Sequence, residues 1–269
     1  MTAGTSTAAR RGRGRNAALD GFLPMLAKEF REFVRTWRIW LMAATFAFFA
    51  LLDPLIARFA PEILATALGD GLVIQVPDPT YLDVAVQWSG DLAQLLMFVV
   101  LGLAAGSVAG EASSGTLVMP LTKPLSRRAF VLAKVTSTVA VSAVAVVLGT
   151  AVVSGSTLLL FEEVDLGPLW RSVGAWSVLA LLLLAITMAA SCAFSSTIAA
   201  LGVGLGGYIV LGILGLWGPA RSYTPAGLPE AVGTAASGGE VPLWPVLTGI
   251  LAALVALVLA LAIFRRREL

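Results

Sequence analysis

From Ser172 to Ala220 the chain runs for 49 residues without a single Asp, Glu, Lys or Arg. As one α-helix that run would be roughly 73 Å long at 1.5 Å per residue. A bilayer's hydrocarbon core is only about 30 Å thick, and about 20 apolar residues cross it. The run must therefore fold back on itself. The small polar cluster "SCAFSST", 191–197, is the natural place for a tight turn.

The same reasoning gives four further spans: Ile39 to Ala57, about Trp88 to Ala109, about Phe130 to Phe161, and Val241 to Phe264. The first is expected to break near Pro54. The third exceeds the bilayer, so its Lys134 end is expected to project beyond it. Composition agrees: 58% of residues are hydrophobic, 13% are charged, and the mean hydropathy is +0.90. Soluble domains carry about a quarter charged residues. The expected fold is an all-α membrane protein with six transmembrane helices and an N-terminal amphipathic elbow helix.

The elbow comes from residues 18–36. Leu19, Phe22, Leu23, Leu26, Phe30, Phe33, Val34 and Trp37 share one helical face, while Lys28, Glu29, Arg31, Glu32 and Arg35 fall off it. Such a helix suits a membrane surface; a plain extension of the first span is the alternative. Residues 1–17, with "ARRGRGRN", read as a disordered basic tail. A twin-arginine export signal is disfavoured because charged residues continue to Arg38.

An even number of spans puts both termini and the 110–134 region on one side. Those three regions hold 15 of the 18 cations; the opposite loops hold only Arg58, Arg171 and Arg221 with most of the acids. The positive-inside rule makes the basic side cytoplasmic. The expected location is the cytoplasmic membrane, with 18–269 a single six-span domain.

Catalytic chemistry is poorly supported. The chain has no histidine, so the commonest general base and metal ligand are missing. Its one cysteine, Cys192, forms no internal disulfide. The lysines Lys28, Lys123 and Lys134 do not sit in a Gly-Lys-Ser/Thr context, so no phosphate-cradling loop is present. Glu162 and Glu163 read as a solvated acidic turn. Asp53, Arg58, Asp91 and Lys134 fall towards span ends, which argues against an ion-coupled relay through mid-membrane. If this chain moves something, the energy comes from outside it.

Between the second and third spans lies "GEASSGTLVMPLTKPLSRRAF", 110–130. Glu111 stands at the foot of span two. Ser113, Ser114 and Thr116 are capping residues, Gly115 permits a sharp turn, and Pro120 and Pro124 stop a continuous helix. Arg127 and Arg128 return to the membrane face, within reach of anionic lipid or Glu111. The segment 110–128 reads either as a protrusion that receives a push from a separate ATPase or as a connecting loop whose cations set topology.

This segment resembles the coupling loop of type-2 ATP-binding-cassette (ABC) exporter permeases, through Glu111, Gly115, Thr116, Leu117, Lys123, Pro124, Ser126, Arg127, Phe130 and Lys134. Members often carry several acids before the Gly-Thr pair; here "EASS" has one. The elbow, the six spans and "YTPAG", 223–227, extend the likeness along the chain. The resemblance implies a coupling helix that docks on a nucleotide-binding subunit, and short helices closing the outer segment 219–240; a loose external loop is the alternative there. It implies two permease chains, as a homodimer, with two ATPase subunits that carry ATP and Mg. It implies no cofactor in this chain and no nucleic acid.

Gly202 and Gly206 make a small-xxx-small face on span five, at a dimer contact, a gate, or a packing seam within the bundle. The uncharged span centres point to a hydrophobic or amphiphilic substrate. A non-transporting membrane scaffold or envelope assembly factor is the competing function, and an intramembrane enzyme a more distant one.

Overall fold

The computed structural model describes residues 21–68, 78–116 and 125–267. The basic tail 1–17, Leu117, Lys123 and Pro124 lie outside the described residues. Helices follow in the order α1 (Phe22–Arg35), α2 (Trp37–Leu68), α3 (Tyr81–Asp91), a π-helical segment (Leu92–Leu96), α4 (Met97–Ser113), α5 (Arg127–Leu160), α6 (Gly167–Ala193), α7 (Thr197–Gly215), α8 (Gly218–Tyr223), a 3-10 turn (Pro225–Gly227), α9 (Leu228–Ala236) and α10 (Leu243–Arg266). Among the described residues no strand occurs, and six helical stretches are long and apolar enough to cross a membrane. The chain is an all-α, multi-pass membrane protein.

The uncharged 49-residue run divides as its length demands. α6 ends at Ala193 and α7 begins at Thr197, with the Ser196 hydroxyl accepting from the Ala199 N–H as an N-cap. α6 is the hub. Two-thirds of its span is buried, as is that of the α3–α4 span, whereas α7 and α10 bury about a tenth and a fifth of theirs. Hydroxyls tie the hub to its neighbours. Ser191 donates to the Ala105 carbonyl at 2.8 Å and accepts from the Ala109 N–H at 2.9 Å; Ser89 and Ser172 are bonded at 2.9 Å. With no water in the bilayer core, such pairs and close packing replace the hydrophobic drive.

Several boundaries differ from expectation. α2 does not break at Pro54; it continues through Pro54 and Pro61 to Leu68. A proline removes one N–H, but in an apolar surround a further opening would strand more backbone groups, so the helix persists. The second span starts at Tyr81 rather than near Trp88, because Thr80 and Asp83 form a capping box, the Thr80 N–H donating to Asp83 Oδ2 at 2.8 Å. The 219–240 segment is helical, not loose: α9 buries Leu228, Ala231, Val232, Ala235 and Ala236. The elbow-region helix is shorter than the expected 18–36, spanning Phe22–Arg35. It opens on Gly21 at φ 82° and is cut from α2 by extended Thr36.

Candidate functional site

The start of α5, the end of α10 and the α6–α7 turn meet at one end of the bundle. The Arg127 guanidinium donates to the carbonyls of Arg265 at 3.0 Å and Arg267 at 2.8 Å. Arg267 in turn donates to the Cys192 carbonyl at 2.9 Å and to Ser195 Oγ at 2.7 Å, pinning the C-terminal strand of residues against the α6–α7 turn. Arg127 is therefore occupied by backbone carbonyls and does not pair with Glu111, as the sequence had suggested.

Glu111 has other partners. Lys134 of α5 donates to Glu111 Oε1 at 2.9 Å and to both oxygens of Glu29, at 3.2 and 3.1 Å. Its three N–H groups are thus all directed at carboxylates. The ammonium also lies 5.1 Å from the centre of the Phe130 ring, which stacks on Phe264 at 5.2 Å. Lys134 is 2% exposed, Glu29 7% and Glu111 14%. Lys134 does not project into solvent; its charge is held inside the bundle end by two acids.

Glu29 corrects the amphipathic assignment of α1. It is buried with Met25, whereas Leu23, Phe30 and Val34 of the apolar set remain exposed. The helix is rotated so that an acid faces α5 and part of its apolar face looks outward. The 3.6-residue period cannot reveal this, because it ranks faces by greasiness and an ion-paired acid inverts the ranking. The signal available in the sequence was the lone apolar-flanked cation Lys134, which requires a buried counter-charge.

Lys28 closes the network from the outer side. Its Nζ is 2.7 Å from Glu32 Oε2, 3.2 Å from Glu29 Oε1 and 3.2 Å from Glu111 Oε1. Burial alone would push its ammonium down. The hydrogen bond to Glu32 and the charges of Glu29, Glu111 and Glu32 outweigh that and hold it above its ordinary value. Ligand oxygens of Glu29, Glu32 and Glu111 lie within 4.8 Å of one another, a spacing that suits a metal, but Lys28 contacts all three and Lys134 contacts Glu29 and Glu111, so two ammoniums already offset two of the three negative charges. Glu111 Oε2 is buried without a hydrogen-bond partner. Glu111 lines a polar cleft of about 160 Å³ together with Ser107, Ser114, Thr116 and Lys134.

Beyond Glu111 the chain turns sharply. The Ser114 N–H reaches the Gly110 carbonyl at 3.2 Å, and Gly115 adopts φ +69°, the left-handed conformation that ends a helix. Ser114 Oγ donates to the Gly110 carbonyl at 2.9 Å, and Ser114 and Thr116 hydroxyls bond at 2.9 Å. These hydroxyls close the C-terminus of α4. Ser126 N-caps α5, accepting from the Ala129 N–H at 3.0 Å. Glu111, Gly115, Thr116, Ser126, Arg127 and Lys134 thus share one end of the bundle. Gly202 and Gly206 belong elsewhere, on α7, where an added Cβ would meet nothing within 4 Å. The close approaches on that helix fall on Gly204 against Thr187 and Gly215 against the Ala226 carbonyl.

A second feature lies higher between α1, α2 and α5. Phe30, Phe33, Ile39, Met42, Phe46 and Val144 are among the residues lining an apolar cleft of about 620 Å³.

Comparison with known proteins agrees with this architecture. A family model described as ABC-2 family transporter protein matches residues 23–222, which takes in α1 through α8 and both sides of the 110–128 segment. The chain is also 26% identical over 188 residues to the uncharacterized transmembrane protein YxlG of Bacillus subtilis (strain 168), covering 68% of this chain and 72% of that protein. ABC-2 permeases in general work with an ABC ATPase partner, and no ATPase motif occurs in this sequence. With a bundle of six apolar helices, a short amphipathic helix before them and a match over most of its length, the chain belongs to the ABC-2 family of transporter proteins.

Proposed function

We propose that this chain is the transmembrane permease subunit of an ABC exporter, driven by ATP hydrolysed with Mg on a separate nucleotide-binding subunit. Two copies form the pathway in the cytoplasmic membrane. Both termini and the 110–128 segment face the cytoplasm, on the side where 15 of the 18 cations lie.

The observation that carries this reading is the ion network at the base of the segment. A loop that only joins two helices needs no buried anchor. Here Glu111, the last-turn acid of α4, is bonded to α5 through Lys134 and to α1 through Lys28, and Lys134 bonds Glu29 of α1. A push on residues 112–126 therefore reaches three helices at once. The 620 Å³ apolar cleft favours an amphiphilic or hydrophobic substrate, whose apolar part would lie against α2 and α5 below the aromatic residues of α1. A hydrophilic ion on that path would lose its hydration with little to replace it.

The test is co-expression with candidate ABC ATPases from the same genome. The wild type should retain the ATPase through purification and couple lipid-stimulated hydrolysis to export. Gly115→Leu, which leaves every span intact but strains the left-handed turn, should insert normally and lose coupling. Normal docking and transport in Gly115→Leu would reduce the segment to a connector. Failure of any ATPase to co-purify with the wild type would favour a non-transporting scaffold.

A further inference from the structure

Three charged side chains are buried among the described residues: Glu29, Lys134 and Asp53. The first two neutralise each other. Asp53 has no such partner. It is 0% exposed, and neither carboxylate oxygen has a hydrogen-bond donor. It stands in the span Ile39–Ile63, 14 residues from one end and 10 from the other. Its helical neighbours Ala50 and Ala57 belong to the main apolar cluster, with Trp88 and Leu92 of the next span.

The ionisable group facing Asp53 is a second acid, Asp91. Asp91 closes α3, and the π-helical segment Leu92–Leu96 begins immediately after it, the Met97 N–H reaching back to the Leu92 carbonyl. One inserted residue rotates the helix by about 100°. The insertion therefore uncouples the direction in which Asp91 points from the packing face of α4 below it. Single π turns inside long helices recur at functional sites.

Among the described residues no basic group pairs with Asp53. On α6, packed on α3, Arg171 is exposed. α5, packed on α2, carries Arg127, Arg128 and Lys134 near its start and only hydroxyls as polar groups beyond. α1 places Lys28, Glu29 and Glu32 at the same end as Lys134. On α3, Asp83 is exposed and capped onto Thr80. On α2 itself, Arg58 is exposed and lies 5.9 Å from the Phe59 ring. Two negative charges left together in an apolar span would cost several kcal/mol each without a counter-charge.

We propose that Asp53 and Asp91 form an intramembrane proton-binding site in which the two carboxyl groups share one exchangeable proton. As two carboxylates, both groups only accept hydrogen bonds, and they repel. With one proton between them, one carboxyl donates to the other, and Asp53 is satisfied inside the apolar cluster. Calcium takes six to eight oxygens and magnesium an octahedron. The pair supplies at most four, and the adjacent Ser89 hydroxyl is committed to the Ala85 carbonyl and Ser172. The proton enters from the half-exposed Asp91 side. Its loss on alkalinisation sets like charges between α2 and α3, so the contact between the first two spans is proton-dependent.

Infrared spectroscopy of the full chain reconstituted in neutral phosphatidylcholine vesicles tests this without reference to transport. The wild type at neutral pH should show the C=O stretch of one protonated carboxyl. The band should shift down in D2O and disappear on alkaline titration. Asp53→Asn, near-isosteric and uncharged, should abolish it, Asp91→Asn should move its frequency because the partner carboxyl is gone, and Glu162→Gln should leave it unchanged. Absence of the band in the helical wild-type protein, its survival in Asp53→Asn, or an unmoved frequency in Asp91→Asn would overturn the proposal. Displacement of the band by sodium, potassium or calcium at fixed pH would also overturn it, assigning the site to a metal cation.

Discussion

Replacing Lys134 with methionine keeps the length and apolar stem of the side chain and removes only the charge. The ammonium lies 2.9 Å from Glu111 Oε1 and 3.1 Å from Glu29 Oε2. At an effective dielectric of about 20, the nearer contact alone is a gross attraction of about 6 kcal/mol. Much of that is offset by the desolvation of an ammonium that is 2% exposed. The larger effect of Lys134→Met is what it leaves behind, two buried carboxylates that share only the part-exposed Lys28 ammonium, itself also paired with Glu32. Truncating one partner of a buried pair costs about 3–5 kcal/mol. Adding Glu29→Gln and Glu111→Gln removes the stranded charges, and replacing a whole buried network by neutral groups is often close to neutral. The triple variant should recover most of the loss.

The assay is reversible unfolding of the full chain in bicelles by added SDS, followed by helical circular dichroism, with the three substitutions taken singly and together in a cycle. Two results would refute the reasoning. One is a loss below about 1 kcal/mol for Lys134→Met, the range of exposed pairs. The other is a triple variant as unstable as the single one, which would mean that the lysine stem, and not its charge, holds the helices.

Three further outcomes follow from the same coordinates. Gly204→Ala should destabilise the bundle by about 1–3 kcal/mol, because the new methyl overlaps the Thr187 hydroxyl, whereas Gly202→Ala should leave the monomer's stability unchanged; the same unfolding assay separates them. Trp88→Phe should cost about 1 kcal/mol or more by leaving buried Thr150 without the 3.1 Å indole bond, read again by SDS titration. In a Cys192→Ser background, single cysteines at the exposed positions 165 and 237 should react with an impermeant maleimide in intact cells, and one at 123 only after permeabilisation; labelling of 123 in intact cells would reverse the topology.

The spans were legible because length and charge admit few solutions. A run of 49 uncharged residues has to turn, and the turn falls where Ser195 and Ser196 offer caps. Boundaries were less legible. Proline at 54 reads as a break by local rules, yet in lipid the cost of opening backbone exceeds that of one missing hydrogen bond, so α2 carries on. The start of α3 was misplaced for the converse reason: Tyr81, Asp83 and Gln87 look too polar for a span, but the capping box between Thr80 and Asp83 extends the helix beyond the apolar stretch.

The site was half legible, and the missing half has one physical cause. Glu111, Gly115, Ser126 and Lys134 stand out along the chain because each breaks the local pattern. Glu29 and Asp53 do not stand out, because their meaning depends on which way a helix is rotated. A hydropathy pattern assigns every charge to the outward face. The structure instead turns Glu29 towards Lys134 and Asp53 towards Asp91. In the first case opposite charges explain the rotation, and the result is a brace between α1, α4 and α5. In the second case like charges face each other, so packing alone cannot justify the arrangement and a bound cation must. Span-centre emptiness, read from sequence as evidence against an ion-coupled relay through mid-membrane, therefore fails at Asp53, which lies inside the span Ile39–Ile63. The chain then combines two separate devices: a charge-compensated anchor beneath the 110–128 segment, and an acid pair deeper in the same bundle. α2 connects them, since it follows α1 after the extended Thr36 and carries Asp53 ten residues before the far end of its span. The anchor thus reaches α2 through Thr36, and the acid pair sits where α2 packs on α3.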